Sequence, residues 1–240
     1  NERFGGQGIG ASFNEQTKEH AGAGMSTDNL DRLADELVAG LTPVKPLRHP
    51  LIRILPWLGM AIAYAMAVTF GLGIRPDLPA KLHEMHFLTE IIWAAVVVAS
   101  AALAGAWMAV PDARGQGRIC TIPAVLAAGF ALWAMTDSLG GGTAHNMPLR
   151  PLSWHFCATH ALILGALPVA AMVLMSRRGA TARPRMMSLM NILAAGALGW
   201  LALRFTCVSD DAAHIFLYHF LPFAAAGGVL AALARRLYRW

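Results

Sequence analysis

Three cysteines, Cys120, Cys157 and Cys207, and nine histidines are the side chains with the widest chemistry in this sequence. Two thiols can lose two electrons and close into a disulfide, and thiolate with imidazole is a ligand set that suits zinc or copper. Spacing restricts the choice. No CxxC is present, which removes thioredoxin-like redox motifs and the usual quinone-linked disulfide-generating enzymes from first place. No segment has compact metal-ligand spacing, and no Ser/His/Asp arrangement, glycine-rich phosphate loop or pair of catalytic carboxylates can be assembled; Gly140-Gly141-Gly142 reads as a flexible loop. The stretch Arg204-Phe205-Thr206-Cys207-Val208-Ser209-Asp210-Asp211 stands apart because it sets a thiol between a guanidinium and two carboxylates. Arg204 and Cys207 are three apart, so on a continuous helix they share a face, and a fixed positive charge beside a thiol lowers its pKa.

The elements that must position these groups are membrane spans. The chain is 56% hydrophobic and 14% charged, against about 25% charged in ordinary soluble domains. Six apolar runs, 54–73, 87–110, 119–137, 155–175, 187–206 and 213–233, are each close to the roughly 20 residues a helix needs to cross a bilayer. They are continuous and rich in Ala, Leu and Gly rather than short and alternating, which rejects a β-barrel. The predicted fold is therefore all-α, a polytopic membrane protein of six transmembrane helices. Small residues at Ala195-xxx-Gly199 and Ala224-xxx-Gly228 allow close helix approach, and Pro168 and Pro222 are expected to kink the fourth and sixth helices.

The net charge of +5 does not point to nucleic acid, because the basic residues sit beside helix ends. Lys45, Arg48, Arg53, Arg114, Arg118, Arg177, Arg178, Arg183, Arg185, Arg235, Arg236 and Arg239 fall on one side, and Arg75, Lys81 and Arg150 on the other. The positive-inside rule then predicts both termini in the cytoplasm. No cleavable signal peptide is expected, since the first apolar run reads as a full span.

On this topology Cys157 and Cys207 lie on the outer face at similar depth and Cys120 lies a membrane thickness away. The fourth and fifth helices are consecutive and antiparallel, and packed axes are about 8–10 Å apart, within reach of the roughly 7 Å between Cα atoms that a disulfide tolerates. The histidines are also biased outward. His83, His86 and His145 fall in outer loops, and His155, His160, His214 and His219 in the outer halves of the fourth and sixth helices. Histidines are tolerated near membrane interfaces as helix-bonding groups; the alternative is a zinc or copper site drawn from these four and the two thiols. Glu90 and Asp137 are both placed to pair with Arg204.

Ahead of the spans, residues 1–24 are polar and glycine-rich and are expected to be disordered. Met25 opens a different kind of sequence, so what precedes it is either an upstream extension or a native tail. Residues 25–50 read as an amphipathic helix and linker: Ser26 or Thr27 caps, Asp28 and Asp31 suit the positive end, and Leu30, Leu33, Leu37, Val38 and Leu41 form one stripe. Gly40 and Pro43 end it. The acidic polar face argues against a lipid-surface helix, which favours Lys and Arg there, and for docking into a protein groove.

From Met25 to Trp240 the chain resembles the NrsF-like membrane anti-sigma factors. The resemblance rests on Thr27-Asp28-x-Leu30 with Pro43-Val44-x-Pro46-Leu47, on Arg75-Pro76-Asp77-Leu78, on Trp154-x-x-Cys157, on Cys207 with Asp211, and on the closing Arg235-Arg236-Leu237-Tyr238-Arg239-Trp240. It implies six spans in residues 51–240 and an N-terminal cytoplasmic segment that restrains an extracytoplasmic-function sigma factor, here through Asp28, Leu30, Leu33, Leu37 and Leu41. It also implies two cysteines, Cys157 and Cys207, that respond to oxidants or metals, with Arg204 and Asp211 tuning them. The expected partners are that sigma factor and the lipid bilayer of the inner membrane, with no direct nucleic-acid contact, no catalysis and no required cofactor. His214 stands where the family has an aromatic and Tyr218 where it has tryptophan. Thiol oxidoreductase and small metal transporter are the alternatives, the first weakened by the missing CxxC and the second by the lack of paired charges at mid-membrane depth.

Overall fold

The computed structural model describes residues 27–41, 48–110, 118–140, 151–177, 179 and 181–238, with backbone alone at 137–140 and 151–155. The predicted tail 1–24 and the proline link 43–47 lie outside the described residues. The chain separates into two compact units, 1–46 and 47–240.

In the first unit, α1 (Thr27–Ala39) carries Asp28 in its first turn. Gly40 closes it, bonding back to the Glu36 carbonyl at 3.3 Å, so Leu41 falls just past the helix. None of its residues is buried.

The second unit is all-helical, with no strand among its described residues. Its elements are α2 (Pro50–Leu72), the short α3 (Leu78–Lys81), α4 (Met85–Met108), α5 (Thr121–Gly140), α6 (Pro151–Arg177), α7 (Pro184–Thr206) and α8 (Ala212–Leu237). Six of these are long and apolar enough to cross a membrane. Proline opens α2, α6 and α7, at the one helical turn where a missing N–H costs nothing. Gly73 ends α2 at φ 93°, a conformation that side chains resist.

The bundle is built around α7. In its most apolar 18-residue stretch 72% of residues are buried, against 11–44% in the other five spans. A helix enclosed on all sides needs small residues where neighbours cross, and α7 supplies them. The ring of Phe223 from α8 wedges between Gly165 of α6 and Gly196 and Gly199 of α7; a Cβ at Gly199 would stand 2.5 Å from Phe223 Cζ. The expected close approach at Gly199 is thus present. Gly228 meets nothing within 4 Å, and it is Gly227 that packs on Ile192.

Hydrogen bonds inside the bundle tie the spans in pairs. Trp57 Nε1 donates to the Pro168 carbonyl at 2.9 Å and Tyr64 to that of Ile163 at 2.8 Å, joining α2 to α6. Trp93 joins α4 to α5 through the Leu126 carbonyl. At the far end from Cys157 and Cys207, buried Asn191 donates to Ser176 Oγ and Tyr238 Oη. Each such bond in an apolar medium contributes about 0.6–2 kcal/mol.

Pro168 stands inside an unbroken α6. Pro222 acts differently, because residues 215–220 just ahead of it form a π-helical turn in which the Leu221 N–H reaches back to Phe216 O. Proline removes its own N–H and crowds the carbonyl four residues earlier, and the wider turn relieves that crowding.

Candidate functional site: a thiol and imidazole cluster beside an ion-pair lattice

Cys157 belongs to the first turns of α6. Cys207 sits one residue past α7 in extended backbone (φ −81°, ψ 125°), with its N–H still bonded to the Leu203 carbonyl. The Cys157 thiol donates to Cys207 Sγ at 3.8 Å, and the two are unbonded. His214 and His219 approach from α8. His214 Nε2 is 3.5 Å from Cys207 Sγ, and the ligand atoms of Cys157, Cys207, His214 and His219 all lie within 4.8 Å of one another.

The π turn brings the two imidazoles to one place. Five residues along an α-helix point well away from the start, because a turn takes about 3.6 residues, whereas an i→i+5 turn returns to the same face. Asp211 starts α8, its carboxylate accepting the His214 N–H at 2.8 Å, so its part is to hold the segment that carries His214. His214 is 4% exposed and His219 fully buried.

Of the other expected ligands, His160 lies outside this group and packs partly buried against Phe156. His155 is in α6, with its side chain outside the described residues. Cys120 is buried among Ala104, Met108, Met187 and Tyr238 at the opposite end of the bundle.

The helix stops at Thr206. Arg204, expected to set its charge beside the Cys207 thiol, has carboxylates as its partners. Its Nε and Nη2 donate to Glu90 at 3.0 and 2.7 Å, and its Nη1 to Asp210 at 3.0 Å. Of its two anticipated partners, Glu90 is therefore one; the Asp137 side chain lies outside the described residues. The Cys207 thiol is nonetheless held well below its ordinary pKa, chiefly by the bond from Cys157, against the opposing effect of burial and with help from the His214 imidazole.

Beside the thiols is a lattice of ion pairs centred on Asp210. Its carboxylate accepts from Arg75 at 3.1 Å through both oxygens, from Lys81 at 2.9 Å and from Arg204. Arg75, whose side chain is fully buried, also forks onto Asp77 at 2.7 and 2.8 Å. Lys81 reaches Glu84 at 2.8 Å. Phe87 lies beneath both guanidiniums, with ring-centroid distances of 5.7 Å to Arg75 and 5.0 Å to Arg204. The Arg75 N–H also bonds the Phe205 carbonyl at 2.9 Å. Burial works against the Asp210 charge, but the bonds from Arg75 and Lys81 outweigh it and leave the carboxyl well below the usual range. The segment 207–211 thus carries a thiol at one end and the anchor of three cations near the other.

Residues 37–240 match the family model NrsF, negative regulator of sigma F. The chain belongs to the NrsF family. No curated protein and no solved structure matches it. This NrsF-family chain is thus a negative regulator of a sigma factor and, with six spans, a multi-pass membrane protein. The match begins at Leu37, so Asp28, Leu30 and Leu33 precede it.

Arg75, Lys81 and Asp210 were missed as site residues. In the sequence Arg75 reads as an orientation charge and as part of the Arg75-Pro76-Asp77-Leu78 motif of the resemblance, Lys81 as an orientation charge alone, and Asp211 rather than Asp210 as the carboxylate of the site. The signal available was Arg75-Pro76-Asp77, a cation and an anion held two apart by a proline, but nothing local points from there to a residue 135 positions on.

Proposed function

We propose that this protein is an inner-membrane anti-sigma factor that sequesters an extracytoplasmic-function sigma factor through the α1 stripe and answers oxidant or metal stress through Cys157 and Cys207 on the periplasmic side. The observation that carries the sensing half is the 3.8 Å separation of the two sulfurs. They come from the ends of two different spans, and Cys120 sits at the far end of the bundle. Closing a disulfide draws the sulfurs to about 2.05 Å. That movement pulls α6 and the 207–211 segment together and strains the Asp210 lattice that segment supports. The binding half is supported by α1, whose Leu30, Leu33 and Leu37 are all exposed and so offered to a partner.

Sigma-dependent transcription in cells tests this. Cys157→Ser and Cys207→Ser should each lose induction by oxidant or soft metal, and Cys120→Ser should keep it. A Cys157→Ser/Cys207→Ser variant that responds like wild type would make the thiols structural. Orientation is checked separately. A periplasm-active reporter should work when inserted between Gly141 and Gly142 and stay silent after Trp240; the reverse pattern would move both thiols to the cytoplasm.

A further inference from the structure

We infer that Cys157, Cys207, His214 and His219 form a four-ligand site for a single tetrahedral cation of the zinc class, in which the two histidines of the π turn are ligands as much as the thiols. The inference rests on the sensing role given to the two cysteines and adds the chemistry that occupies them.

Three observations support it independently. The first is metric. A tetrahedral ion bound at about 2.3 Å to sulfur and about 2.0–2.1 Å to nitrogen keeps its sulfurs about 3.8 Å apart and each sulfur about 3.5 Å from each nitrogen. The two spacings resolved here are 3.8 Å for sulfur to sulfur and 3.5 Å for Cys207 Sγ to His214 Nε2. The second is polar satisfaction. His219 is fully buried, and among the described residues neither of its ring nitrogens has a hydrogen-bond partner. An unbonded buried polar group costs on the order of 1–3 kcal/mol, and a metal–nitrogen bond removes that cost at one of the two nitrogens. The third is backbone. The π turn at 215–220 departs from the α-helix on either side of it, and its effect is to set residues five apart on one face, where His214 and His219 meet the thiols.

The donor set selects the ion. Two thiolates and two imidazoles favour zinc and the soft ions that share its geometry over magnesium or calcium, which take oxygen ligands. Bound this way, the ion ties α6, the end of α7 and α8 through one point. Coordination and disulfide formation also exclude each other, because sulfurs about 3.8 Å apart on a metal cannot be about 2.05 Å apart in a bond. Metal therefore shields the pair from oxidant, and oxidant expels the metal.

Full-length protein, purified in detergent with its thiols reduced, should bind one equivalent of Zn(II), and Co(II) in its place should give the absorption of a tetrahedral thiolate complex. His214→Ala and His219→Gln should each weaken Zn(II) binding at least tenfold, and Cys120→Ser should leave it unchanged. In the wild type, where no variant can misfold, Zn(II) should protect Cys157 and Cys207 from alkylation and leave Cys120 as it was. Absence of protection, or unchanged affinity in a folded His214→Ala/His219→Gln variant, would overturn the four-ligand site. That failure would leave regulation through the thiols standing, since the serine variants test it in cells. Conversely, a serine double variant that still responds, in a protein whose wild type binds zinc, would remove the regulation and keep the site.

Discussion

Leu33→Asp together with Leu37→Asp is expected to free the sigma factor in unstressed cells. Both side chains are exposed, 47% and 64%, and the helix that carries them has no buried residue, so the substitutions open no cavity in a core. Their cost falls on the complex. A carboxylate buried without a partner in an apolar groove is penalised by several kcal/mol, and interface anchors of this kind dominate binding energy. A loss of about 3 kcal/mol or more is over a hundredfold in affinity. The measurement is sigma-dependent transcription alongside the level of the variant in the membrane, with co-purification of the sigma factor as the direct readout. Continued repression by a variant present at normal level would show that the stripe is not the binding surface. Asp28→Ala, at the helix N-terminal end, should have a much smaller effect, because a first-turn acid contributes about 0.3–1 kcal/mol through the helix dipole.

Glu90→Ala should be the most destabilising single change in the ion lattice. Arg204 and Glu90 are 3% and 10% exposed in their side chains and share bonds of 2.7 and 3.0 Å. Removing one member of a buried pair typically costs 3–5 kcal/mol, because the remaining charge stays where water cannot reach it. Asp210 continues to hold Arg204 Nη1, which places the expectation near about 3 kcal/mol, the lower end of that range. For a protein of this size that is a fall of about 10 °C in Tm. Thermal unfolding in detergent measures it. Replacing the pair as a unit, with Glu90→Ala and Arg204→Met, should recover most of the loss. An unchanged Tm in Glu90→Ala would mean that the pair is hydrated and contributes little.

The same lattice shows where local sequence stops being informative. Arg75 and Asp210 are 135 residues apart and Arg204 and Glu90 are 114 apart. An ion pair of that separation exists only once several spans have packed; shared depth at the outer helix ends offers Glu90 as a partner for Arg204, whereas nothing in the local sequence leads from Arg75 or Lys81 to Asp210. Arg204 and Cys207 illustrate the converse. Three apart, they look like a working pair, but packing gives them different partners, the thiol meeting Cys157 of α6 and His214 of α8 while the guanidinium goes to Glu90 of α4 and to Asp210.

What the sequence by itself determined is what depends on length and periodicity. A run of about 20 apolar residues has to be a helix in lipid, because its backbone can be satisfied only internally, and the six runs agree with the six spans to within a few residues. The Leu30 to Leu37 stripe is legible for the same reason. So is the placing of Cys157 and Cys207 at one end of the bundle, since the start of a fourth span and the end of a fifth fall on one side by alternation. What only the tertiary structure decided is rotation. Whether His160 or His219 meets the thiols depends on how each helix turns about its axis against its neighbours. In α8 that turn is reset by Pro222 and the wide π turn ahead of it, a backbone adjustment with no counterpart in apolar periodicity.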